Sequence, residues 1–553
     1  MFDIEPWLPK SVTSLRNYSW DKFVSDLIAG VTVGLVALPL AMAFAIASGV
    51  PPQAGLYCAV VAGFLISALG GSATQIGGPT GAFVVVVYGI VARYGIDGLY
   101  MCTLLAGLML VVLGATGLGT AVKFIPRPVV VGFTNGIAVL IASTQIKDFF
   151  GLQTGPVPGE FLGRMQTLAR SFGTVSWTET SLGVLGIVII LLCMRYVKRV
   201  PGYVVALFVG TILVWIFKLP VETIGTRFGG IPSGLPSFKL PTFRLDLILP
   251  LISPAMTVAM LGAIESLMSA VVSDRMSGGK HKPNVELIAQ GVANIVSPLF
   301  GGLPATGAIA RTATNVRSGA KTPVAGMTHA FTLLCILLFA APLAKFIPLS
   351  ILAAILIVVS YNMGEWGEIP ELLKLSRLEV GTWLITFGLT VFADLTVAVE
   401  AGMIMAGLVY IRKVTRSTTV SQVTRNYIEG GRPHILQDKE IPPYVTVFRI
   451  HGPFLFGATD KLEDVLEGLE EFPPIVILRL RNMTAIDSTG LQALEKFADR
   501  IHSSGRWLIL CGALERPALQ MRRADFEAHI GKDNICASIQ DALERAKHLI
   551  GVA

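Results

Sequence analysis

Charge is what this chain of 553 residues has least of: 15% of its residues are Asp, Glu, Lys or Arg, against 53% hydrophobic. Soluble domains carry about a quarter charged residues, so an ordinary soluble enzyme is excluded. The mean hydropathy of +0.66 points to a protein embedded in a membrane. Cysteine is scarce too: Cys58, Cys102, Cys193 and Cys335 lie in apolar segments, Cys511 and Cys536 lie near the C-terminus, and no pair has metal-ligand spacing. Neither a disulfide framework nor a metal is expected. A nucleophile–base set and a phosphate-cradling loop are both missing, which excludes catalysis and a bound cofactor; the glycine patterns present are helix-packing faces. Residues 1–22 are polar or aromatic and the first apolar run, 23–47, is too long for a signal-peptide core. The N-terminus is therefore expected in the cytoplasm.

What the chain has in abundance is apolar segments. About fourteen of spanning length, some interrupted, follow one another between 23 and 411, with the third at 78–92 and the tenth at 306–319. An even number puts both termini on one side. Lys123, Arg127, Arg195, Lys198, Arg199, Lys280, Lys282, Lys321, Lys374, Arg377, Arg412 and Lys413 fall in short loops on that side, whereas the opposite loops offer little beyond Arg93 and Lys345. This bias predicts a multi-pass protein of the cell (inner) membrane with cytoplasmic termini, and it accounts for the net charge of +7 without nucleic acid as a partner. The chain divides into a cytoplasmic segment 1–22, a membrane domain 23–416, a polar linker 417–440 and a soluble domain 441–553. In the last, strand-like runs such as "PIVILRL" (474–480) alternate with helical periods such as "LQALEKFADRIHSS" (491–504), the pattern of a small α/β sheet.

Two short matches reveal a repeat: "AMAFAIAS" (41–48) against "AMLGAIES" (259–266), and "GGPTGA" (77–82) against "GLPATGA" (302–308), in the same order. Seven predicted spans separate the copies, an odd number, so they lie in opposite orientation, a 7+7 inverted-topology repeat. In each copy Gly and Pro keep the chain extended ahead of a half-helix, one beginning near Thr80 and the other near Thr306. Unpaired N–H groups at two facing helix N-termini attract an anion, which makes Thr80, Gly81, Thr306 and Gly307 candidate contacts. Ordinary caps and close-packing glycines are the alternative.

Ionisable groups at membrane depth cost about 2.5–3.5 kcal/mol each, so each needs a reason. Glu265 fills the repeat position of Ala47 and suits proton binding and release; Arg311 lies about one turn into the second half-helix and offers an anion a two-pronged guanidinium. A purely structural pairing of the two is the alternative. Asp394 and Glu400 flank a turn between the last two spans, where a loop or gating role is expected.

With these residues in hand, the chain resembles the SulP family of anion transporters over nearly its whole length. The resemblance rests on "DLIAGVTVGLVALPLAMAFAIASGVPPQAGLY" (26–57), "GGPTGAF" (77–83), "AMLGAIESLMSAVVSDRMSG" (259–278), "NVELIAQGVANIVSPLFGGLPATGAIARTATNVRSGAKTPVAG" (284–326) and "AIDSTGLQAL" (485–494). It implies fourteen spans, a core that holds substrate between the third and tenth spans and moves against a gate, a cytoplasmic STAS domain open to a regulator, and a homodimer. The run "AIES…KHKPNVEL…ATGAIART" (263–312) is especially similar to the bacterial branch that includes proton-coupled C4-dicarboxylate transporters. By that resemblance Glu265 occupies the cation-coupling position, an Asp in sodium-coupled bicarbonate members, which favours a proton over sodium, and Ser269 is an auxiliary ligand. Arg311 matches the basic residue of the tenth span, while Ala310 stands where some members place a small hydroxyl residue. Asp487 and Ser488 match the loop whose serine is phosphorylated in related anti-sigma-factor antagonists.

Overall fold

In lipid a backbone has no hydrogen-bond partner but itself, and the apolar segments accordingly coil into helices. The computed structural model describes residues 7–551 apart from 17, 118, 120–125, 156, 198–200, 243, 394 and 423–440. Most of the expected linker lies outside the described residues, as do Lys123, Lys198, Arg199, Asp394 and the side chain of Glu400. The first half carries α1 (Trp20–Ala47), α2 (Pro52–Leu69), α3 (Gly81–Ala115), α4 (Arg127–Phe150), α5 (Phe161–Arg170), α6 (Trp177–Tyr196) and α7 (Gly202–Phe217). The second carries α8 (Ile248–Ser277), α9 (Pro283–Val296), α10 (Ile309–Arg317), α11 (Val324–Phe339), α12 (Leu349–Met363), α13 (Arg377–Phe392) and α14 (Leu395–Ser417).

Within α3 the chain breaks at Gly95, with φ 71° and ψ −174°, a conformation closed to residues with a Cβ. Counting its two parts separately, each expected apolar segment is helical; α5 is an additional short helix between α4 and α6. Among the described residues, seven helices are long and apolar enough to cross a membrane, and α7 and α11 are shorter apolar helices. The nine residues of α10 reach about 14 Å, half a bilayer core, as a half-helix should.

The membrane helices form two packing groups. In one, α1 lies along α11, and α3 lies against α8 and α9; in the other, α4 packs on α12 and α13, and α6 on α7 and α12. Glycines permit the closest approaches: a Cβ on Gly30 would come within 2.4 Å of Ala325 O, and one on Gly107 within 2.7 Å of Gly291 O. The repeat is visible in this packing, because α1 with α11 and α8 with α3 are equivalent pairs. Buried carboxylates anchor the first group. Asp26 Oδ1 accepts from the backbone N–H of Lys321 (2.7 Å) and Thr322 (3.1 Å), and Glu286 Oε2 from those of Gly71 (2.9 Å) and Ser72 (3.1 Å). Tyr18 OH donates to Asp26 Oδ2 at 3.1 Å; burial, then the charge of Asp26, pushes the phenol up to about 12.

The two halves meet at a strand crossing. β1 (Gly77–Gly78) and β2 (Thr306–Gly307) pair antiparallel, Gly77 opposite Gly307 and Gly78 opposite Thr306. This corrects the expected start of the second half-helix near Thr306. The pairing keeps Thr306 and Gly307 extended, Ala308 N donates to Ile76 O at 2.8 Å, and α10 begins only at Ile309 with Ala308 as its N-cap. The first half-helix begins at Gly81 with Thr80 as N-cap, where the sequence places it.

The chain separates into two compact units, residues 1–406 and 407–553, a division that falls inside α14. The second unit holds a five-stranded sheet in which β3 (Thr419–Gln422) pairs antiparallel with β4 (Val445–Phe454), and β4, β5 (Ile475–Ile486), β6 (Trp507–Cys511) and β7 (Ile535–Cys536) run parallel. Both faces of its central strands are apolar and covered, as parallel strands require. One face packs on α16 (Ser488–Ser503) and the other on α18 (Ile539–Gly551), with α15 (Asp460–Leu466) and α17 (Glu515–Arg523) at the margins of the first.

Candidate functional site

The N-terminal ends of α3 and α10 open onto one cavity of about 290 Å³. Thr80 and Gly81 line it from the first half, and Ala308, Ile309 and Arg311 from the second. Helix geometry leaves the first N–H groups of both helices without partners in the helix, and each end carries a partial positive charge of roughly half a unit. Arg311 is 2% exposed. Its Nη2 donates to Pro79 O, while Nη1 is buried and has no partner among the described residues. The Thr80 hydroxyl, which does not cap its own helix, is likewise buried and unpartnered. Two unsatisfied donors beside two helix N-termini cost free energy unless an acceptor comes to them.

Glu265 lines the same cavity from α8. Among the described residues no ion pair joins it to Arg311, so the alternative of a structural pair is not what the geometry forms. Opposite stand residues of the second packing group and of the turn after α12: Phe133, Tyr203, Met363 and Glu365, with Phe44 of α1 beside them. Sequence reasoning missed these. Glu365 follows an apolar segment in "YNMGEWGE" (361–368) and reads as an ordinary loop acid; only the fold brings it to the cavity with Glu265.

Three expected site residues do not line the cavity. Thr306 Oγ1 donates to Gly262 O at 2.9 Å, and a Cβ on Gly307 would lie 1.8 Å from Gln75 Nε2; both residues serve the crossing. Ser269 is fully buried, and its hydroxyl meets Thr312 Oγ1 at 2.9 Å, which accepts from Ile76 N at 3.0 Å. In the C-terminal domain Asp487 caps α16: Oδ1 accepts from Gly490 N (2.8 Å) and Oδ2 from Phe456 N (3.0 Å). Ser488 is exposed at the first position of that helix.

Gly78 ties the crossing to the site. Its φ is 145°, and a Cβ there would stand 2.9 Å from Arg311 Nη1. Gly78→Ala is expected to displace the guanidinium and weaken anion binding by about tenfold or more while leaving the helices intact. Anion titration followed by tryptophan fluorescence, beside a circular dichroism spectrum, checks this; unchanged affinity would show that the close approach is immaterial.

A bundle with a broken-helix cavity at the meeting of two inverted halves, followed by a small α/β domain, defines a class of membrane transporters. Residues 23–386 match the sulfate permease family and residues 437–542 the STAS domain. YvdB of Bacillus subtilis (strain 168), which carries a provisional sulfate-transporter name, is 41% identical over 521 residues, 94% of this chain and 97% of its own. The bicarbonate transporter BicA of a Synechocystis species is 31% identical over 542 residues, 95% of this chain and 94% of its own. Among solved structures, SLC26A9 superposes with a TM-score of 0.87 at 17% identity, covering 99% of this chain and 94% of that one, a likeness of fold. The transmembrane domain of a cyanobacterial BicA gives 0.63 at 35% identity, over 69% of this chain and 98% of that one. The chain belongs to the sulfate permease (SulP) family, with a C-terminal STAS domain. It is a membrane transporter and not an enzyme.

Proposed function

We propose that the chain is a secondary active transporter that moves a small anion (sulfate, a C4-dicarboxylate or bicarbonate) across the cell inner membrane, coupled to proton entry, by displacement of the α1/α3/α8–α11 group against the α4/α6/α7/α12/α13 group. The observation that carries this reading is the cavity itself: two helix N-termini, the unpartnered Arg311 Nη1 and Thr80 hydroxyl, and the carboxylate of Glu265 share it, and it lies between the two groups. Thr80, Gly81 and Arg311 hold the anion, with Ala308 and Ile309 contributing backbone; Thr306, Gly307 and Ser269 hold the crossing in place around it. Glu265 takes the proton, which removes its repulsion of the anion and lets the loaded group move. The fourteen spans, the cytoplasmic termini, a homodimer and a cytoplasmic regulator acting through Asp487 and Ser488 belong to the same reading. The likeness to YvdB supports sulfate and that to BicA supports bicarbonate as cargo, while the dicarboxylate branch rests on the sequence run within residues 263–312. With bicarbonate as cargo, sodium is the alternative to the proton.

The test is uptake of labelled sulfate, succinate and bicarbonate into proteoliposomes, with and without an inward pH gradient. One proton carried per anion makes a one-unit gradient drive about tenfold accumulation, about 1.4 kcal/mol, of one of the three. Counterflow of labelled anion against unlabelled anion should also appear. Uptake without saturation or counterflow would mean a channel or a sensor signalling through the STAS domain, and uptake that follows sodium but ignores the pH gradient would refute the proton.

A further inference from the structure

At the end of the bundle away from Val129 and Glu365, one side chain joins the two packing groups. Tyr88 lies on α3 seven residues past Gly81, about 10 Å along the helix that presents its N-terminus to the anion. Its ring stands beside the turn between α1 and α2, where a Cβ on Gly49 would be 3.4 Å from Cδ2, and its far edge enters the segment before α5, where a Cβ on Gly159 would be 3.1 Å from Cε1. The phenol OH donates to Val157 O at 3.0 Å. Over the ring, 5.7 Å from its centroid, sits the guanidinium of Arg164 on α5.

Arg164 is held by the other group. Nη1 donates to Ser143 Oγ of α4 at 3.0 Å, Nη2 donates to Gly159 O at 2.7 Å, and Phe161, one turn earlier on α5, meets Phe392 of α13 edge to face at 5.7 Å. The residue is 3% exposed, yet among the described residues no carboxylate pairs with it; burial accordingly pulls its pKa below the usual arginine value. A desolvated guanidinium without a counter-charge costs free energy that only its hydrogen bonds and the face of an aromatic ring offset. Ser143 lies about 14 Å along α4 from Thr134, the last residue of that helix to line the anion cavity. The socket therefore lies outside the site, but α3 connects the two directly.

We propose that Tyr88 seated under Arg164 is the latch that closes the transport path at this end, and that withdrawal of Tyr88 from the Val157–Arg164 socket is what opens it. The inference rests on the proposed displacement of one helix group against the other. Because Tyr88 and the anion-binding N-terminus ride on one helix, the strength of the latch sets how the molecule divides between its two open forms.

The test places a cysteine at Leu40, which lines the cavity, and measures its reaction with an impermeant maleimide added to either face, using the chain with native Leu40 as background. Arg164→Met keeps the bulk but removes the charge and both hydrogen bonds; Tyr88→Phe keeps the ring but loses the bond to Val157. Arg164→Met is expected to raise labelling from the socket's face about tenfold and to lower it from the other, Tyr88→Phe to shift both rates less, and Arg164→Lys to restore part of the parent ratio. A general loosening would raise labelling from both faces and overturn the latch. So would parent chains that label from both faces in a ratio the anion changes but Arg164→Met does not, with the proposed transport cycle intact. Labelling from one face only, whatever the anion or the variant, would overturn the displacement and the latch with it.

Discussion

Arg311→Gln is expected to lower anion affinity by about 30-fold to 5,000-fold, the range of about 2–5 kcal/mol that follows truncation of one partner of a buried charge pair. The size of the effect follows from how little else the guanidinium does. Its one partner among the described residues is Pro79 O, and Nη1 is left over, buried without a partner on a side chain that lines the cavity. Arg311→Lys separates charge from shape. A lysine keeps the positive charge but has no planar fork with which to hold Pro79 O and the anion at once, so it is expected to lose about tenfold. Ligand-induced stabilisation grows with the ratio of anion concentration to Kd, so a thermal denaturation series across anion concentrations reads all three chains. A glutamine variant that melts like the parent without anion, and rises as far with it, would remove Arg311 from the site.

The parts of this machine that were legible in the sequence are those governed by local composition. Apolar runs became helices because lipid offers no alternative, and "GGPTGA" announced the break before Gly81 because glycine and proline weaken a helix wherever they stand. The start of α10 was misjudged for a nonlocal reason. Thr306 and Gly307 stay extended because they pair with Gly78 and Gly77, more than two hundred positions away, and nothing within "GLPATGA" encodes that partner. The same separation hid Glu365, which folds to the cavity from a loop, and Arg164, whose neighbours Ser143 and Tyr88 come from two different helices. Asp26 and Glu286 escaped notice because each lies near the start of its helix, where an acid reads as an ordinary terminal charge although each is buried against backbone N–H groups. The reading of Ser269 as a ligand came from resemblance, and the fold instead directs its hydroxyl to Thr312.

Glu265→Gln should separate binding from coupling. The carboxylate shares the cavity with Arg311 without pairing to it, so an entering anion meets one fixed positive charge and one removable negative one. In the parent, affinity for the anion should tighten as pH falls, since proton binding removes the repulsion and, by linkage, anion binding must favour the protonated form. Glutamine imitates that neutral form permanently. The variant should bind anion at least as tightly as the parent does at low pH, with a flat pH profile, and should still exchange labelled for unlabelled anion. Accumulation driven by a one-unit pH gradient should fall from about tenfold to none, because no proton travels with the anion. The combination matters more than either result, since damage to the cavity would abolish exchange as well as accumulation. If Glu265→Gln still accumulates anion with the gradient, the proton is carried elsewhere, and Glu365 is the other carboxylate in the same cavity. Glu365→Gln would then take over the loss of coupling, and the moving group would bind its proton from the gate side instead of carrying it on α8.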